Sequence, residues 1–322
     1  MPLSTDEKVL KLSRDAIDAF DKIDQGPHPG FRPAHAKGVL LQGEFKPAAA
    51  AQSLTRAPHI QRSSTPVSVR LSDFAGIPTV ADNDGQNASP RGCAIRFHLA
   101  EHSHTDIVAH SVDMFPARTA EEFLEFLNAL IATDFAGPHP NAIEQFLGGH
   151  PAALAFVQAP KPIPTSFARE SFFAVSAFKF TNAEGKSQFG RYRILPVAGN
   201  EYVDDAAAKQ GPNFLMDEIQ QRVAKEPVKF LIMVQLAEEG DVTDDATVRW
   251  PESRKVVEFG EIALTVVADN NAGEQQQIIF DPIPRVDGIE ASADPLFEPR
   301  ANIYLMSGRR RREAGKAANA AD

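Results

Sequence analysis

Residues 65–72 read TPVSVRLS, and apolar and polar side chains alternate along the run. A two-residue period of this kind is typical of a β-strand that buries one face. Further runs with β character occur along most of the chain, at residues 38–45, 93–99, 172–180, 190–197, 228–236 and 255–267. The sequence therefore predicts a protein built mainly on strands.

Helical patterns interrupt the strands at irregular intervals. Residues 5–23 place apolar side chains on one side of a helix, with Thr5 or Asp6 as its N-cap. The other helical patterns lie at residues 119–132, 141–147 and 214–225. Because strands and helices do not alternate regularly, we expect no doubly wound parallel sheet. We predict an α+β fold, an antiparallel barrel with inserted and flanking helices.

The composition argues against several kinds of partner. The 322 residues carry a net charge of −10, which disfavours nucleic acid, because phosphate contacts need a basic surface. A single cysteine, Cys93, permits no internal disulfide. No run is long and apolar enough for a membrane span. We therefore expect a soluble, cytoplasmic protein that binds neither nucleic acid nor membranes.

Six short segments follow one another in a recognisable order. They are RPAHAKG at 32–38, TPVSVRLS at 65–72, PRGCAIRF at 90–97, WPE at 250–252, GIEASAD at 288–294 and RANIY at 300–304. Together they resemble the haem catalases, over roughly residues 26–311. The chain is short for that family, so it resembles the compact branch known as catalase-related peroxidases.

The resemblance implies a single haem domain over residues 1–322, with an eight-stranded antiparallel β-barrel of the catalase type. Within it, we expect an N-terminal helix at 1–25. The barrel core and the proximal helix are expected at 26–308, and a mobile, basic tail at 309–322.

Tyr304 is the axial ligand of the haem iron that the resemblance implies. A phenol has an ordinary pKa of about 10, so a phenolate ligand needs a cation beside it at neutral pH. Arg300 lies four residues earlier on the same face of a helix, where a guanidinium favours the phenolate. Without the other segments, this pair would be interpreted as a core tyrosine next to a solvent-exposed arginine.

His35 is the distal acid/base that the resemblance implies, and Ser72 matches the hydroxyl that orients its imidazole. Histidine can take up and return a proton near neutrality because its ordinary pKa is about 6.5.

The implied cofactor is haem b. Arg32, Arg70 and Arg311 match the arginines that pair with the haem propionates, as guanidinium groups favour carboxylates. Phe123 falls where the family places a ring against the porphyrin.

The sequence departs from the family at two distal positions. Where the family has an asparagine after an Asp-Leu-Val-Gly stretch, this chain reads DIVAHS from Asp106. We expect Ser111 to replace that asparagine with fewer hydrogen-bond donors, and His110 is an alternative. Ala34 stands where a bulkier residue is usual, which widens the distal side. Both departures favour a peroxidase over a catalase.

We therefore expect a haem peroxidase that reduces hydrogen peroxide and organic hydroperoxides through an oxo-ferryl intermediate. We also expect the protein to use a small-molecule electron donor, to have weak catalase activity and to form a homodimer. An efficient catalase and a hydroperoxide rearrangement like that of allene oxide synthases are alternatives. A non-haem metal site is another, because imidazole and carboxylate groups bind zinc or iron. Its candidate ligands are His98, His102, His104 and Asp106.

Overall fold

A computed structural model describes residues 2–204 and 210–319, with side chains described as far as residue 316. The helices in this part of the chain are α1 (Glu7–Ile23), α2 (Ala120–Ile131), α3 (Ala142–Gly149), α4 (Pro151–Gln158), α5 (Phe214–Val223), α6 (Asn271–Gln277) and α7 (Phe297–Asn319). The strands are β1 (Gly38–Pro47), β2 (Thr65–Ser72), β3 (Gly92–Ala100), β4 (Ser103–His110), β5 (Phe172–Phe173), β6 (Phe178–Thr181), β7 (Ser187–Pro196), β8 (Val228–Leu236), β9 (Val256–Val267) and β10 (Ile289–Ala291).

These strands form one antiparallel sheet in the order β10-β6-β7-β5-β4-β3-β2-β1-β9-β8. β8 pairs with β9 along one edge and with β7 along the other, so the sheet closes into a barrel. β6 and β10 extend from the side of β7 and leave eight strands in the closed ring. The predicted α+β fold with an eight-stranded antiparallel barrel is confirmed.

The two faces of β2 have different surroundings. Val67, Val69 and Leu71 belong to the main hydrophobic core inside the barrel. Because side chains alternate along a strand, Arg70 and Ser72 point outward. Both are nevertheless only 3% exposed. Other elements must therefore cover the outside of the barrel at this strand.

A layer of helices lies beside this outer face, where α1 packs against both α2 and α7. The Asp6 carboxylate accepts a hydrogen bond from the backbone N–H of Lys8 at 2.8 Å and begins α1. Of the two predicted caps, Asp6 is the one observed. Thr119 begins α2 in the same way, with its hydroxyl oxygen 3.2 Å from the backbone nitrogen of Glu122.

Several elements differ from the prediction. The run 172–180 forms two short strands, β5 and β6, and β4, α4 and α6 are not among the predicted elements. The predicted separate tail is wrong for residues 309–319, because α7 continues through them. Residues 320–322 of that tail lie outside the described residues. Over residues 2–204 and 210–319, no helix is long and apolar enough to cross a membrane.

Candidate active site

A cavity of about 970 Å³ lies between the outer face of the barrel and α7. Ser72 of β2, His110 of β4 and the loop residue His35 line one part of it. Arg300 and Tyr304 of α7 line another part. The structure thus brings the predicted distal and proximal residues to a single cavity.

The backbone holds His35 in an unusual conformation. Its φ of 58° lies in the left-handed region that few residues other than glycine adopt. Its N–H donates to the carbonyl of Phe74 at 2.5 Å. The Ser72 hydroxyl oxygen lies 3.1 Å from Nδ1 of the imidazole, and the Phe74 ring meets the imidazole edge-on at 5.4 Å. These contacts fix the orientation of the imidazole inside the cavity.

The surroundings of His35 keep its imidazole neutral. Burial, with smaller contributions from Arg70 and His110, lowers the pKa of His35 to about 3. A backbone hydrogen bond at Asp73 acts in the opposite direction, as expected for a carbonyl that accepts a hydrogen bond from the ring. A neutral imidazole has one nitrogen free to take up a proton, which a general base requires.

Arg300 and Tyr304 lie one turn apart on α7, as their spacing predicts. Nη2 of Arg300 donates to the Tyr304 oxygen at 3.4 Å, and the guanidinium carbon lies 5.9 Å from the centre of the ring. Burial disfavours the charge on Arg300, but Tyr304 and Asp294 outweigh it, so the pKa of Arg300 is raised. A guanidinium beside a phenol oxygen favours the phenolate form, and tyrosine is a known axial ligand of haem iron.

Arg32, Arg70 and Arg311 converge on one region of the cavity. Nη2 of Arg32 and Nη2 of Arg311 both donate to the carbonyl of Ile278, at 3.2 and 2.8 Å. Nε of Arg70 donates to the side-chain oxygen of Gln275 at 2.7 Å. Within the described side chains, none of the three arginines forms an ion pair with a carboxylate, and Nε of Arg311 has no hydrogen-bond partner.

These three guanidinium groups disfavour one another's charge. Burial and the neighbouring Arg70 lower the pKa of Arg32. Burial and Arg311 lower the pKa of Arg70 to about 9, and burial with Arg32 lowers that of Arg311 to about 8. Buried cations without a counter-charge are costly, so an anionic group fits between them. The residues present fit a haem, because the arginines would bind its propionates and Tyr304 would bind its iron.

The prediction for Ser111 is wrong. The Ser111 hydroxyl oxygen accepts a hydrogen bond from the backbone N–H of Arg91 at 2.9 Å and is not part of the cavity lining. The neighbouring His110 lines the cavity instead. The position in the motif explains the error, because the asparagine of Asp-Leu-Val-Gly-Asn is the fifth residue. Counted from Asp106, the fifth residue here is His110.

Four phenylalanines form a continuous aromatic wall of the cavity: Phe20, Phe74, Phe115 and Phe123. The ring of Phe123 lies 6.0 Å from that of Phe20 and 5.0 Å from that of Phe115, and Phe20 lies 6.4 Å from Phe74. The wall reaches both distal imidazoles, since Phe74 contacts the ring of His35 and Phe115 lies 6.5 Å from the ring of His110. Phe123 is therefore on the cavity surface, as the porphyrin contact requires.

Part of the mouth of the cavity is apolar, beside the exposed polar lining residues Lys22, Gln86 and Asn87. Ile23, Ile131, Phe135 and Val157 line the cavity and remain 36%, 40%, 68% and 44% exposed, respectively. We call these four residues the apolar rim. Ala34, predicted to widen the distal side, lines the same cavity.

The histidine-rich segment forms no metal site. Among the side chains that the structure describes, no group of three His, Cys, Asp or Glu residues could hold a metal ion. Asp106 instead accepts two hydrogen bonds from Arg96, at 2.9 and 2.7 Å. Nε2 of His98 lies 2.9 Å from the hydroxyl oxygen of Ser68. The structure therefore contradicts this alternative.

Two supports of the site have no signal in the sequence. Gln275 of α6 accepts a hydrogen bond from Arg70 and donates one to the carbonyl of Gly38 at 3.0 Å. Arg91 and Asp73 form a fully buried ion pair at the ends of β2 and β3. Both supports join residues that lie far apart along the chain or in irregular segments. No local sequence pattern therefore predicts these contacts.

The Catalase family model matches residues 15–319. The chain belongs to the catalase family. This catalase-family chain is 32% identical to a catalase-related peroxidase of Mycolicibacterium paratuberculosis, over 95% of its own length and 96% of that protein. It is 30% identical to a catalase-related peroxidase of Synechococcus elongatus, over 88% of its own length and 84% of that protein. Its relatives thus include the compact branch that the sequence predicts.

Solved catalases have the same fold as this catalase-family chain. A fungal catalase superposes with a TM-score of 0.77 at 21% identity, over 92% of this chain and 62% of the other. Catalase A from Saccharomyces cerevisiae superposes with a TM-score of 0.75 at 20% identity, over 92% of this chain and 64% of the other. The catalase barrel is therefore retained in a shorter chain.

Proposed function

We propose that this catalase-family protein is a haem peroxidase that binds haem b in the cavity and reduces peroxides there. The cluster of Arg32, Arg70 and Arg311 carries the proposal. Arg70 and Arg311 are buried and Arg32 is half-buried, and among the described side chains none of the three forms an ion pair with a carboxylate. Such a cluster favours an anionic ligand, and haem b brings two propionates. The similarity to catalase-related peroxidases supports the same activity.

When bound, the haem supplies an iron that takes up the oxidising equivalents of the peroxide. Tyr304 would hold the iron through its phenolic oxygen, to which Nη2 of Arg300 donates a hydrogen bond. Nε2 of His35 accepts the proton of the peroxide O–H group, since Nδ1 faces Ser72. The same imidazole can then release that proton to the oxygen that leaves.

The aromatic wall and the apolar rim support organic hydroperoxides as substrates alongside hydrogen peroxide. Apolar side chains offer a small polar peroxide no hydrogen bonds. An alkyl or aryl chain that becomes buried against them gains about 25 cal/mol per Å² of apolar surface. We therefore propose that a hydroperoxide with an apolar group enters through this mouth.

The electron donor, the location and the assembly of the protein remain predictions. A small-molecule donor is consistent with a cavity that opens at the surface. The cytoplasmic location rests on the single cysteine, the buried Cys93, which leaves no possible internal disulfide. The homodimer stays a prediction.

Three activities give different products from the haem-loaded protein. A peroxidase oxidises an added electron donor such as guaiacol in step with peroxide loss, and this is the expected result, with slow oxygen release. Fast oxygen release from hydrogen peroxide alone would identify an efficient catalase. A rearranged product from a fatty-acid hydroperoxide, with no donor oxidised, would identify an activity like that of allene oxide synthases.

Removal of the proposed axial ligand tests the site itself. Tyr304→Phe should weaken haem binding by more than about 100-fold, because loss even of residues that only support a metal ligand costs 10- to 100-fold. Titration with haem, followed by the Soret band, measures the affinity. Tyr202→Phe removes the same hydroxyl at an exposed position and is the matched control. Full haem occupancy with an unaltered spectrum in Tyr304→Phe would rule out Tyr304 as the ligand.

A further inference from the structure

Ser72, Gly92 and His110 form one row across three neighbouring strands. Ser72 pairs with Gly92 between β2 and β3, and Gly92 pairs with His110 between β3 and β4. Residues directly opposite each other in a sheet point to the same face, so His110 shares the outer face with Ser72. Neighbouring strands are about 4.8 Å apart, which places the two backbone positions about 10 Å from each other.

Gly92, in the middle of this row, has no side chain. The imidazole of His35 occupies the space that a side chain there would fill. A Cβ atom on Gly92 would be only 2.7 Å from Nδ1 of His35. The imidazole of His110 stands on the adjacent strand, lines the same cavity and contributes to the lowered pKa of His35. The two imidazoles are therefore neighbours over one stretch of the cavity.

The hydrogen bonds of the two rings indicate opposite tautomers. At His35, Nδ1 faces the Ser72 hydroxyl, and the backbone of Asp73 favours a ring nitrogen that carries a proton. A proton on Nδ1 of His35, with the Ser72 oxygen as its acceptor, leaves Nε2 as an acceptor. At His110, Nδ1 accepts a hydrogen bond from the backbone N–H of Val112 at 3.3 Å. In a neutral ring the proton then lies on Nε2, which is a donor.

We infer that His110 is a second catalytic residue, whose Nε2–H donates a hydrogen bond to the peroxide while Nε2 of His35 accepts the peroxide proton. The inference rests on the proposed function. A hydroperoxide presents one O–H donor and a second oxygen that accepts hydrogen bonds. One imidazole that accepts and one that donates satisfy both groups at once.

The surroundings of His110 suit a fixed donor. Burial and the nearby Arg300 lower the pKa of His110 to about 3, so the ring is neutral. Within the described residues, no protein group forms a hydrogen bond with its Nε2, which leaves that N–H available to a molecule in the cavity. The ring of Phe115, 6.5 Å away, is part of the apolar wall that excludes competing water.

Neutron diffraction from crystals of the deuterated, haem-loaded protein near pH 7 tests the tautomers directly. We expect a deuteron on Nε2 of His110 and on Nδ1 of His35, and none on Nδ1 of His110. A deuteron on Nδ1 of His110 would overturn the inference. The same tautomers can also be measured in crystals grown without haem. Failure of the protein to bind haem would overturn the proposed function. The tautomer of His110 could still be determined.

Ligand binding and turnover test the donor role in variants. His110→Phe keeps a ring but removes the donor, whereas His110→Gln keeps an N–H group near the position of Nε2. We expect His110→Phe to bind cyanide about tenfold more weakly, as the loss of one hydrogen bond predicts. Its kcat/KM for hydrogen peroxide should fall at least 100-fold, with the Soret band unchanged.

His110→Gln should recover most of both properties, and His102→Phe, at an exposed position, is the control for the ring substitution. Equal cyanide affinity in the Phe and Gln variants would show that His110 has no donor role. Loss of the Soret band in His110→Phe but not in His110→Gln would assign it a purely structural role.

Discussion

At Gly92, a Cβ atom would lie 2.6 Å from the Ser72 hydroxyl oxygen and 2.7 Å from Nδ1 of His35. Gly92→Ala should therefore displace the imidazole and leave the haem ligand untouched. We expect kcat/KM for hydrogen peroxide to fall about 100-fold, because a shift of about 1 Å at a reacting group has that effect. Steady-state kinetics at equal Soret absorbance measures the loss.

Gly148 provides the matched control, because a Cβ atom there would meet nothing within 4 Å. Gly148→Ala should keep the activity of the unaltered protein. If Gly92→Ala is as active as Gly148→Ala, the position of His35 does not depend on the space over Gly92.

Single residues were predictable where a local rule applied to them. The spacing of Arg300 and Tyr304 on a helix predicts their contact, and the structure contains it. The alternation of β4 carries the signal for His110, since Ile107 and Ala109 belong to the core and His110 lies on the other face. That signal is missed when β4 is not recognised as a strand, and the error at Ser111 follows.

At the scale of elements, α7 carries both the proposed iron ligand and one of the proposed propionate partners. Arg311→Gln should lower haem affinity 10- to 100-fold, because a hydrogen bond to a charged group contributes about 1.5–3 kcal/mol. Haem titration of the purified variant measures this. Arg309→Gln, in the same basic run but exposed, should bind haem as the unaltered protein does. Equal affinities in the two variants would remove Arg311 from the haem site.

Strands were predicted better than helices because alternation along a strand depends on only a few residues. The run 228–236 matches β8 from end to end. α6 is only seven residues long and has no buried side chain, so no apolar face indicates it. The basic run after Gly308 was predicted as a tail because its consecutive charged residues show no apolar face of a helix. Arg311 is nevertheless 2% exposed and packs inside the molecule.

On the scale of the whole molecule, closure of the barrel depends on pairings that no local pattern contains. β1 pairs with both β2 and β9, and more than 200 residues separate β1 from β9 in the chain. Periodicity predicts the strands but not their partners. The family resemblance supplied the closed barrel, and the pairing of β7 with β8 completes it.

Buried neutral histidines should make the folded protein sensitive to acid. The ring of His59 lies among aromatic residues, 4.7 Å from that of Phe97, and burial lowers the pKa of His59 to about 3. Below pH 6.5 the unfolded chain binds a proton there that the folded protein does not. The neutral His59 ring therefore favours the folded protein above pH 6.5, and this part of the unfolding free energy is lost as the pH falls towards 3.

His59→Leu should remove this proton uptake. Between pH 5.5 and 4, we expect the slope of unfolding free energy against pH to decrease by about 1.4 kcal/mol per pH unit. Denaturant unfolding of the haem-loaded protein across this range measures it, and His102→Leu is the control at an exposed position. An unchanged slope in His59→Leu would mean that His59 is protonated in the folded protein.

The length of one helical segment has a consequence for how this sequence can vary. Tyr304 and Arg311 lie seven residues apart on α7, which is about 10 Å along the axis and close to two full turns. One inserted residue would rotate Arg311 by about 100° relative to Tyr304. Natural variants should therefore change in composition between these two residues but not in number, and insertions or deletions should be confined to the loops.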